Sequence, residues 1–399
     1  DGGAITFADH LFLGRPHLLN LHVERAPLGG EWQAHLTRPF FTGLQREAWR
    51  AGAGEVVTYT ELRHPDSPTH VVRVQRRYAD AGLMARIGPP VRMGFLGLQI
   101  SHEREVVGQT LYTFAPDGSP VAADTFAAPR PYESTRLNAF VGARRLTFER
   151  VEGFDALTAT QDIPVGFQAG LVVGRGLDAP VEGFGRELFL SADLYAGRGD
   201  TNDATRLQLR AQGTRSATDG RWGRGIATGR LAHQIKPSAN HTVALSGDWA
   251  ATWRAGAPLQ LMVGARDGGV RGYADALMGG GHRAVLRLEE RVAIPNVRGA
   301  GDLGVAAFVD VGRVWRGGAP FGVTTPIQPS LGLSLLGAVP ARSARMWRLD
   351  VAMPLDGPAL NRITLGLTRG DRSAVFWREP GDLASTRGPT VPSSVFAWP

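Results

Sequence analysis

The residues of this chain best suited to chemistry are an arginine and two carboxylates. Arg271 lies in the tetrapeptide VRGY, and Glu289 and Asp310 follow it along the chain. A guanidinium presents a planar fork of donors that matches a carboxylate in bidentate geometry. An arginine withdrawn from water is costly unless it is paired in this way. The chemistry available to these three residues is therefore charge pairing.

Signals for catalysis, cofactors and metals are absent from the sequence. It contains no Gly-x-Ser-x-Gly elbow and no credible acid–base pair of carboxylates. The glycine triplet Gly279–Gly281 does not open a helix after a strand, so it does not predict a phosphate site. The histidines are scattered, and His17 with His22 lacks a third ligand at useful spacing. We expect no enzymatic activity, no cofactor and no metal.

The two carboxylates lie on segments that alternate between apolar and polar residues. In 303–315 the odd positions up to Val311 are apolar, whereas Asp310 shares the other face with Gly304 and Gly312. In 284–294 Glu289 lies on the polar face, and Glu290 falls on the apolar one. Period-two alternation predicts strands with one buried face. The pattern thus predicts Glu289 and Asp310 on the same, polar side of neighbouring strands.

The same alternation runs along the whole chain and predicts an all-β fold of about sixteen strands. Their approximate spans are 17–25, 31–39, 43–52, 69–85, 90–104, 137–150, 165–175, 186–198, 203–213, 221–234, 240–254, 282–294, 302–315, 329–338, 345–355 and 361–369. Most even-numbered connections are short and several odd-numbered ones are long, which is typical of outer-membrane barrels. The connection 151–164 is an exception, since it is long for a turn.

Composition narrows the class of protein. The chain has 399 residues, 52 glycines, no cysteine and a net charge of +7. No run approaches the roughly 20 apolar residues of a membrane helix, but barrel strands carry their apolar signal on alternate residues. The polar faces are rich in Gly, Ser and Thr with scattered charges, which favours a lumen over the charged, solvated face of a soluble sandwich. The arginines are spread singly, so we expect no nucleic-acid partner.

The segment 264–281, GARDGGVRGYADALMGGG, and the strands after it carry a family resemblance. It is followed by AAFVDVGRVW, SLGLSLL, WRLDVAMPL and ITLGL in order. This set resembles the last strands of the BamA/TamA-type outer-membrane assembly and two-partner-secretion translocator superfamily. There, a long sixth extracellular loop folds into the lumen with a V-R-G-Y/F tip, matched here by Val270, Arg271, Gly272 and Tyr273.

The resemblance implies a transmembrane antiparallel β-barrel with loop 6 inserted in its lumen. It implies that Arg271 pairs with a carboxylate on the neighbouring strands, for which Asp310 and Glu289 are the candidates. We expect Gly272 to allow a tight turn beside the wall, and Gly304 and Gly312 to leave room for the loop. The alternative is that these charges form ordinary lumen ion pairs without a special loop.

The resemblance also implies a lateral seam, where the first and last strands pair weakly and open. We expect the seam to involve Leu19, Leu21 and Val23 on one side and Ile363, Leu365 and Leu367 on the other. The expected domains are a short lead-in (1–16), the barrel (17–369) and a periplasmic tail (370–399). The lead-in is too short for the periplasmic POTRA domains that usually precede such barrels, so the resemblance covers the barrel domain alone.

The predicted function is assembly of outer-membrane proteins or translocation of polypeptides, in the outer membrane of a Gram-negative-type bacterium. The alternatives are a dedicated passenger-secretion pore and a passive channel or structural barrel. Expected partners are outer-membrane lipids and lipopolysaccharide, client β-barrel or secreted polypeptides, and periplasmic or lipoprotein partners.

Overall fold

The fold is that of a strand-rich chain whose alternating segments pair in sequence order. A computed structural model describes residues 2–42, 45–64, 69–116, 118–177, 187–264, 268–273, 278–356, 363–371, 381–384, 387–392 and 394–398. None of the described helices is long and apolar enough to cross a membrane.

Twenty strands are described, and each of the sixteen predicted strands coincides with one of them. Their bounds are β1 Gly3–Asp9, β2 Leu18–Arg25, β3 Gly30–Arg38, β4 Glu47–Leu62, β5 His70–Ile87, β6 Arg92–Phe114, β7 Pro120–Thr125, β8 Tyr132–Glu152, β9 Thr160–Gly176, β10 Glu187–Gly199, β11 Asp203–Ser216, β12 Trp222–Ser238, β13 His241–Trp253, β14 Leu261–Met262, β15 Gly279–Gly280, β16 His282–Val297, β17 Gly301–Trp315, β18 Gln328–Ala338, β19 Arg345–Pro354 and β20 Thr364–Asp371.

Eighteen of these strands form one sheet. Each strand from β1 to β6 pairs antiparallel with the next, β6 pairs with β8, and the order continues through β13, β16 and β17 to β20. Strand β7 folds back on the far end of β6, while β14 and β15 pair separately within the loop between β13 and β16.

The two faces of the sheet differ as the alternation predicts. In β17, Val305 is 51% exposed, whereas Asp310 is fully buried. Large apolar side chains are exposed along most of the strands, and Leu83, Leu333 and Leu365 are examples. The opposite face buries polar residues, among them Gln99, Asn138 and Arg206. The apolar face thus points outward and the polar face lines an interior.

Contacts between distant strands show that the sheet curls around this interior. Arg224 of β12 donates to Glu105 of β6 at 2.9 Å, although four strands lie between them in the sheet. Gln260, in the loop between β13 and β16, bonds the backbone of Arg63 after β4 and of Pro320 after β17. Opposite parts of the wall are therefore joined across the enclosed space.

The structure differs from the predicted boundaries in several places, among them the lead-in, the end of β4 and the tail. The lead-in contains β1, an edge strand paired with β2, in which Ile5 and Phe7 face outward beside Val23 and Leu21. Strand β4 continues to Leu62, because residues predicted as loop keep pairing with β5. Residues 370 and 371 of the predicted tail belong to β20, and its described residues 381–384, 387–392 and 394–398 contact the inner face of the sheet; the periplasmic position of the tail stays a prediction.

Candidate functional site: a loop braced against the inner wall

Arg271 makes the central contact of the interior. Its Nε and Nη2 donate to the two oxygens of Asp310 at 2.7 and 2.6 Å, which is a bidentate pair. Its Nη1 donates to Glu289 at 2.9 Å, and its backbone N–H also reaches Asp310, at 3.2 Å. The structure therefore brings together the loop arginine and both carboxylates that the sequence singled out.

An aromatic ring lies under this pair. The Arg271 guanidinium carbon is 3.4 Å from the centroid of Phe308, which lies two residues before Asp310 on the same face of β17. The ring of Phe308 packs over Gly332 on β18. A Cβ atom at Gly332 would lie only 2.4 Å from Cζ of this ring. A cation above a buried ring gains from the ring quadrupole and from exclusion of water. The glycine thus makes room for the ring that supports the arginine.

The carboxylate of Glu289 is shared with a second arginine, which was not among the site residues predicted from the sequence. Arg348 of β19 donates to both Glu289 oxygens, at 2.9 and 2.6 Å, and to Asp350 at 2.7 Å. Ser334 of β18 bonds both Arg348 and Asp350. Arg348 lies on the inner, polar face of β19, but alternation alone could not show that it reaches β16, three strands away.

The network balances charge in a buried space. The three arginines Arg271, Arg291 and Arg348 face the three carboxylates Glu289, Asp310 and Asp350, at nitrogen-to-oxygen distances of 2.6 to 3.9 Å. Buried ions of one sign would be costly, whereas alternating ions with satisfied hydrogen bonds offset much of their desolvation. The network joins β16, β17, β18 and β19 to the loop.

The residues around Arg271 fasten the loop tip by packing. Val270 and Tyr273 are almost fully buried in a cluster with Val263, Val285 and Val314, and the Tyr273 hydroxyl donates to the carbonyl of Pro329 at 3.0 Å. Gly272 has a φ of +91°, a region that favours glycine. The loop tip therefore turns sharply between two buried side chains.

The two wall glycines have different neighbours. A Cβ on Gly312 would lie 2.3 Å from Cγ2 of Val270, so this glycine provides the space for the loop tip. A Cβ on Gly304 would instead meet Leu157 at 2.7 Å. The expectation that Gly304 makes room for the loop is corrected, because the turn after β8 folds inward and occupies that position.

The loop is also held at two places other than its tip. Arg287 of β16 donates to the carbonyls of Gly268 and Gly269, at 2.5 and 2.9 Å. On the other side of the interior, the Gln260 amide accepts from the Arg63 N–H at 2.7 Å and donates to the Arg63 carbonyl at 2.8 Å. The loop therefore spans the interior with fixed points at both ends.

The connection 151–164, predicted to be long for a turn, is in the structure the turn 153–159, and it is a second inward insertion. Asp155 accepts hydrogen bonds from both terminal nitrogens of Arg206, each at 2.7 Å. Leu157 packs in an apolar cluster with Ala306, Leu336 and Met346. The length of this connection is explained by its path into the interior.

All predicted seam residues except Ile363 lie in the two strands expected, but one of these strands is not at the edge of the sheet. Leu19, Leu21 and Val23 belong to β2, whose backbone pairs with β1 on one side and β3 on the other. Among the described residues, β1 pairs only with β2 and β20 only with β19. The edge strands of the described sheet are therefore β1 and β20, because the lead-in forms a hairpin with β2.

Strand β20 carries the other three predicted seam residues at or beside its start. Ile363, immediately before it, and Leu365 and Leu367 within it are all exposed, and Leu365 pairs with Val351 of β19. These side chains continue the outward apolar face to the edge of the sheet.

One group of side chains on the inner face could hold a cation. Ligand atoms of His22, Glu24 and Glu31 lie within 4.8 Å of one another on β2 and β3, with His22 3.1 Å from Glu31. The sequence supplied only His22 of this group, because the two carboxylates meet it through strand pairing. The cluster is partly exposed and satisfied by its own contacts, so we assign it no metal.

Comparisons with known proteins return structural similarities only. No family model and no curated protein matches the chain. Among solved structures it is similar to BamA from Haemophilus ducreyi lacking POTRA domains 1–3, with 13% identity and a TM-score of 0.45, over 92% of this chain and 69% of that one. It is also similar to CdiB from Escherichia coli, with 13% identity and a TM-score of 0.34, over 92% of this chain and 61% of that one. Both are proteins that this chain resembles, and neither assigns it an activity.

Proposed function

We propose that this chain is an outer-membrane barrel of the BamA/TamA and two-partner-secretion superfamily, and that it assembles or translocates polypeptides. The observation that carries the proposal is the contact of Arg271, in the VRGY tip, with Asp310 and Glu289 on the inner wall. Four residues of motif would be weak evidence alone. The proposal becomes specific because the motif lies inside a curled sheet. Its arginine contacts carboxylates on the strands for which the resemblance implies such partners.

The outward face supports a membrane location. Soluble monomers rarely expose contiguous apolar patches beyond a few hundred Å². Here exposed Leu, Ile, Val and Phe side chains recur on alternate positions around the sheet, as on Leu96, Leu98 and Ile100 of β6. A lipid-facing band with a polar interior is the pattern of outer-membrane barrels. Lipids and lipopolysaccharide are then the surroundings of this face.

The edges β1 and β20 supply the proposed mechanism of assembly. An unpaired strand edge presents free N–H and C=O groups, which are costly in lipid unless another strand satisfies them. A client β-strand can add to such an edge through backbone hydrogen bonds, with little demand on its sequence. Periplasmic or lipoprotein partners would deliver the client. No step requires covalent chemistry by this chain.

Of the alternatives, the passive channel is the less favoured. The described residues of the loop 254–281, the turn 153–159 and the described tail residues between 381 and 398 all contact the inner wall. An interior filled in this way obstructs free diffusion. A dedicated secretion pore remains the second candidate, since a plug that moves would open the interior to one passenger.

Crosslinking tests the proposal, because the chain has no native cysteine. Cysteine pairs should be screened between Thr6 or Ala8 of β1 and Gly366 or Thr368 of β20, and oxidised in liposomes. We expect the crosslink to block insertion of a client barrel and a reductant to restore it. A control pair, Ala8→Cys with Asn20→Cys, joins neighbours that are already paired and should have no effect.

The crosslinking result also separates the candidates. If a fully crosslinked chain still inserts the client at the native rate, addition of client strands at the edges β1 and β20 is excluded. Passage of a polypeptide across the membrane with the seam closed would favour the secretion pore.

A further inference from the structure

The tail segment, defined as the described residues between 381 and 398, is bound to the inner wall at several points. Gln99 of β6 donates to the carbonyl of Thr390 at 2.7 Å, and the Thr390 hydroxyl donates to Glu103. Gln99 is itself held by Asp80 and Asn138. Thr390, Gln99 and Glu103 are all buried. The wall thus has a preorganised polar site for one residue of the tail.

A second site lies on β10. Asp193 accepts from the Ser394 hydroxyl at 2.8 Å and from the backbone N–H of Val395 at 3.2 Å. Gly170 of β9 permits this close approach, since a Cβ there would lie 3.0 Å from Cβ of Val395. The wall therefore binds the main chain of the tail and its small hydroxyls.

Between these sites the wall is apolar, which is unusual for a face that is otherwise polar. Phe95, Phe140 and Phe189 point inward from β6, β8 and β10. They pack with Val391, Val395 and Trp398 of the tail, and the rings of Trp398 and Phe140 stack at 5.2 Å. Without the tail these inward aromatic side chains would face the interior space. They form a surface that requires an apolar occupant.

The start of the tail segment is fastened to the opposite wall. Arg283 of β16 donates to Asp382 at 2.8 Å, and Leu383 packs with Ile226 and Leu261. The described tail therefore crosses the interior from β16 to β10. It does so without joining the sheet, since its described residues form no strand and only two short helical turns.

We propose that the wall surface around Gln99, Phe140 and Asp193 is a binding site for a polypeptide segment outside the sheet, and that the tail is its resident occupant. The surface recognises backbone groups, small hydroxyls and aromatic side chains, which a segment with Ser or Thr near an aromatic residue offers. A client of this chemistry displaces the tail and opens the interior. This inference deepens the proposed function and rests on it.

The manner of attachment makes the tail exchangeable. No backbone ladder connects its described residues to the sheet, so its release breaks side-chain contacts and leaves the strands paired. Segments with few backbone bonds to the rest of the fold open at lower free energy than the global unfolding. With an occupant of this kind, the apparent affinity for a competing peptide is the intrinsic affinity multiplied by the fraction of time in which the site is unoccupied.

The test uses the full chain in detergent and a labelled peptide with the sequence of residues 381–398. The released variant is Val395→Asp with Trp398→Ala, and its control is Ala397→Asp, which adds the same charge at an exposed position. The locked variant is Gly170→Cys with Val395→Cys, whose Cβ atoms would lie 3.0 Å apart, so the tail must move outward by about 0.5 Å to reach the roughly 3.5 to 4.5 Å of a disulfide. Phe140→Ala in the released variant removes the wall ring on which Trp398 of the peptide would stack.

We expect the released variant to bind the peptide at least about tenfold more tightly than the native chain or the control. The oxidised locked variant should not bind it, reduction should allow binding, and Phe140→Ala should weaken it. Equal binding by native, locked and released chains, or no binding by the released and reduced chains, would overturn the inference. Peptide binding needs no insertion assay, so loss of client insertion with peptide binding intact would refute the proposed function alone.

Discussion

Arg271 and Asp310 form a bidentate ion pair between a loop and the wall, although 38 residues separate them in the sequence. Both Asp310 oxygens accept from the guanidinium, at 2.7 and 2.6 Å, and the side chain of Asp310 has no exposed surface. A buried carboxylate left without its partner is strongly unfavourable, whereas the intact pair offsets its own desolvation. Loop position and wall stability are thus coupled through one contact.

The first prediction is that Arg271→Ala detaches the loop tip and lowers the melting temperature of the folded sheet. Breaking a buried pair costs about 3 to 5 kcal/mol, less where water enters the gap. Arg271→Lys should restore only part of the loss, because an ammonium cannot reproduce the planar fork. Heat modifiability on gels measures the change. The exposed Arg345→Ala is the control, and equal melting of both variants would contradict the brace.

The second prediction concerns coupling between Arg271 and Arg348, which share Glu289. We expect each alanine variant to be destabilised and the double variant to lose less than the sum, by about 0.5 to 3 kcal/mol. The reason is that removal of either arginine already weakens the network that supports the other. A double-mutant cycle by urea unfolding measures this. Strict additivity would show that the two arginines act independently.

The third prediction is that Gly312→Ala displaces the loop tip by collision with Val270. Combination with Val270→Ala removes the Cγ2 atom that would collide, and should restore the loop in part. Limited trypsin cleavage after Arg271 reports the displacement. Gly366→Ala is the matched control, since its Cβ would have only an ordinary contact at 3.9 Å. Unchanged cleavage of the Gly312→Ala variant would place the loop farther from the wall than we describe.

The fourth prediction separates the two glycines. Gly304→Ala should disturb the turn 153–159 through Leu157 and leave cleavage after Arg271 unchanged. Leu157→Ala in the same chain should relieve the collision, although it also removes apolar contact. Hydrogen exchange of residues 153–159 is the measurement. If Gly304→Ala speeds hydrogen exchange in the loop that carries Arg271 and not in the turn 153–159, Gly304 makes room for the loop and not for the turn.

The fifth prediction concerns Phe308. Phe308→Leu keeps an apolar side chain over Gly332 but removes the ring beneath Arg271, so we expect a loss of about 0.5 to 2 kcal/mol. Phe308→Ala should cost about 3 kcal/mol or more, because it also opens a cavity. Urea unfolding compares the two. Equal stability of the leucine variant and the native chain would show that the ring contributes packing alone.

Much of the fold followed from the sequence because strand alternation is a local property. Each of the sixteen predicted strands is present, since one lipid-facing or buried face imposes period two on every segment. The placement of Glu289 and Asp310 on the polar face of their strands followed from the same rule. The short strand β1 was missed because its pattern covers few residues, and its place was decided by pairing with β2.

The contacts across the interior depended on tertiary structure. Alternation states which side of a strand a residue occupies, but not which distant residue it meets there. That Arg348 reaches Glu289 and that Gly304 faces Leu157 depends on the curl of the sheet and on the inward path of connections. The tail is the clearest case. Its own residues carry no periodic pattern, and its position is decided by Phe140, Asp193 and Gln99, which the curled sheet brings to one wall.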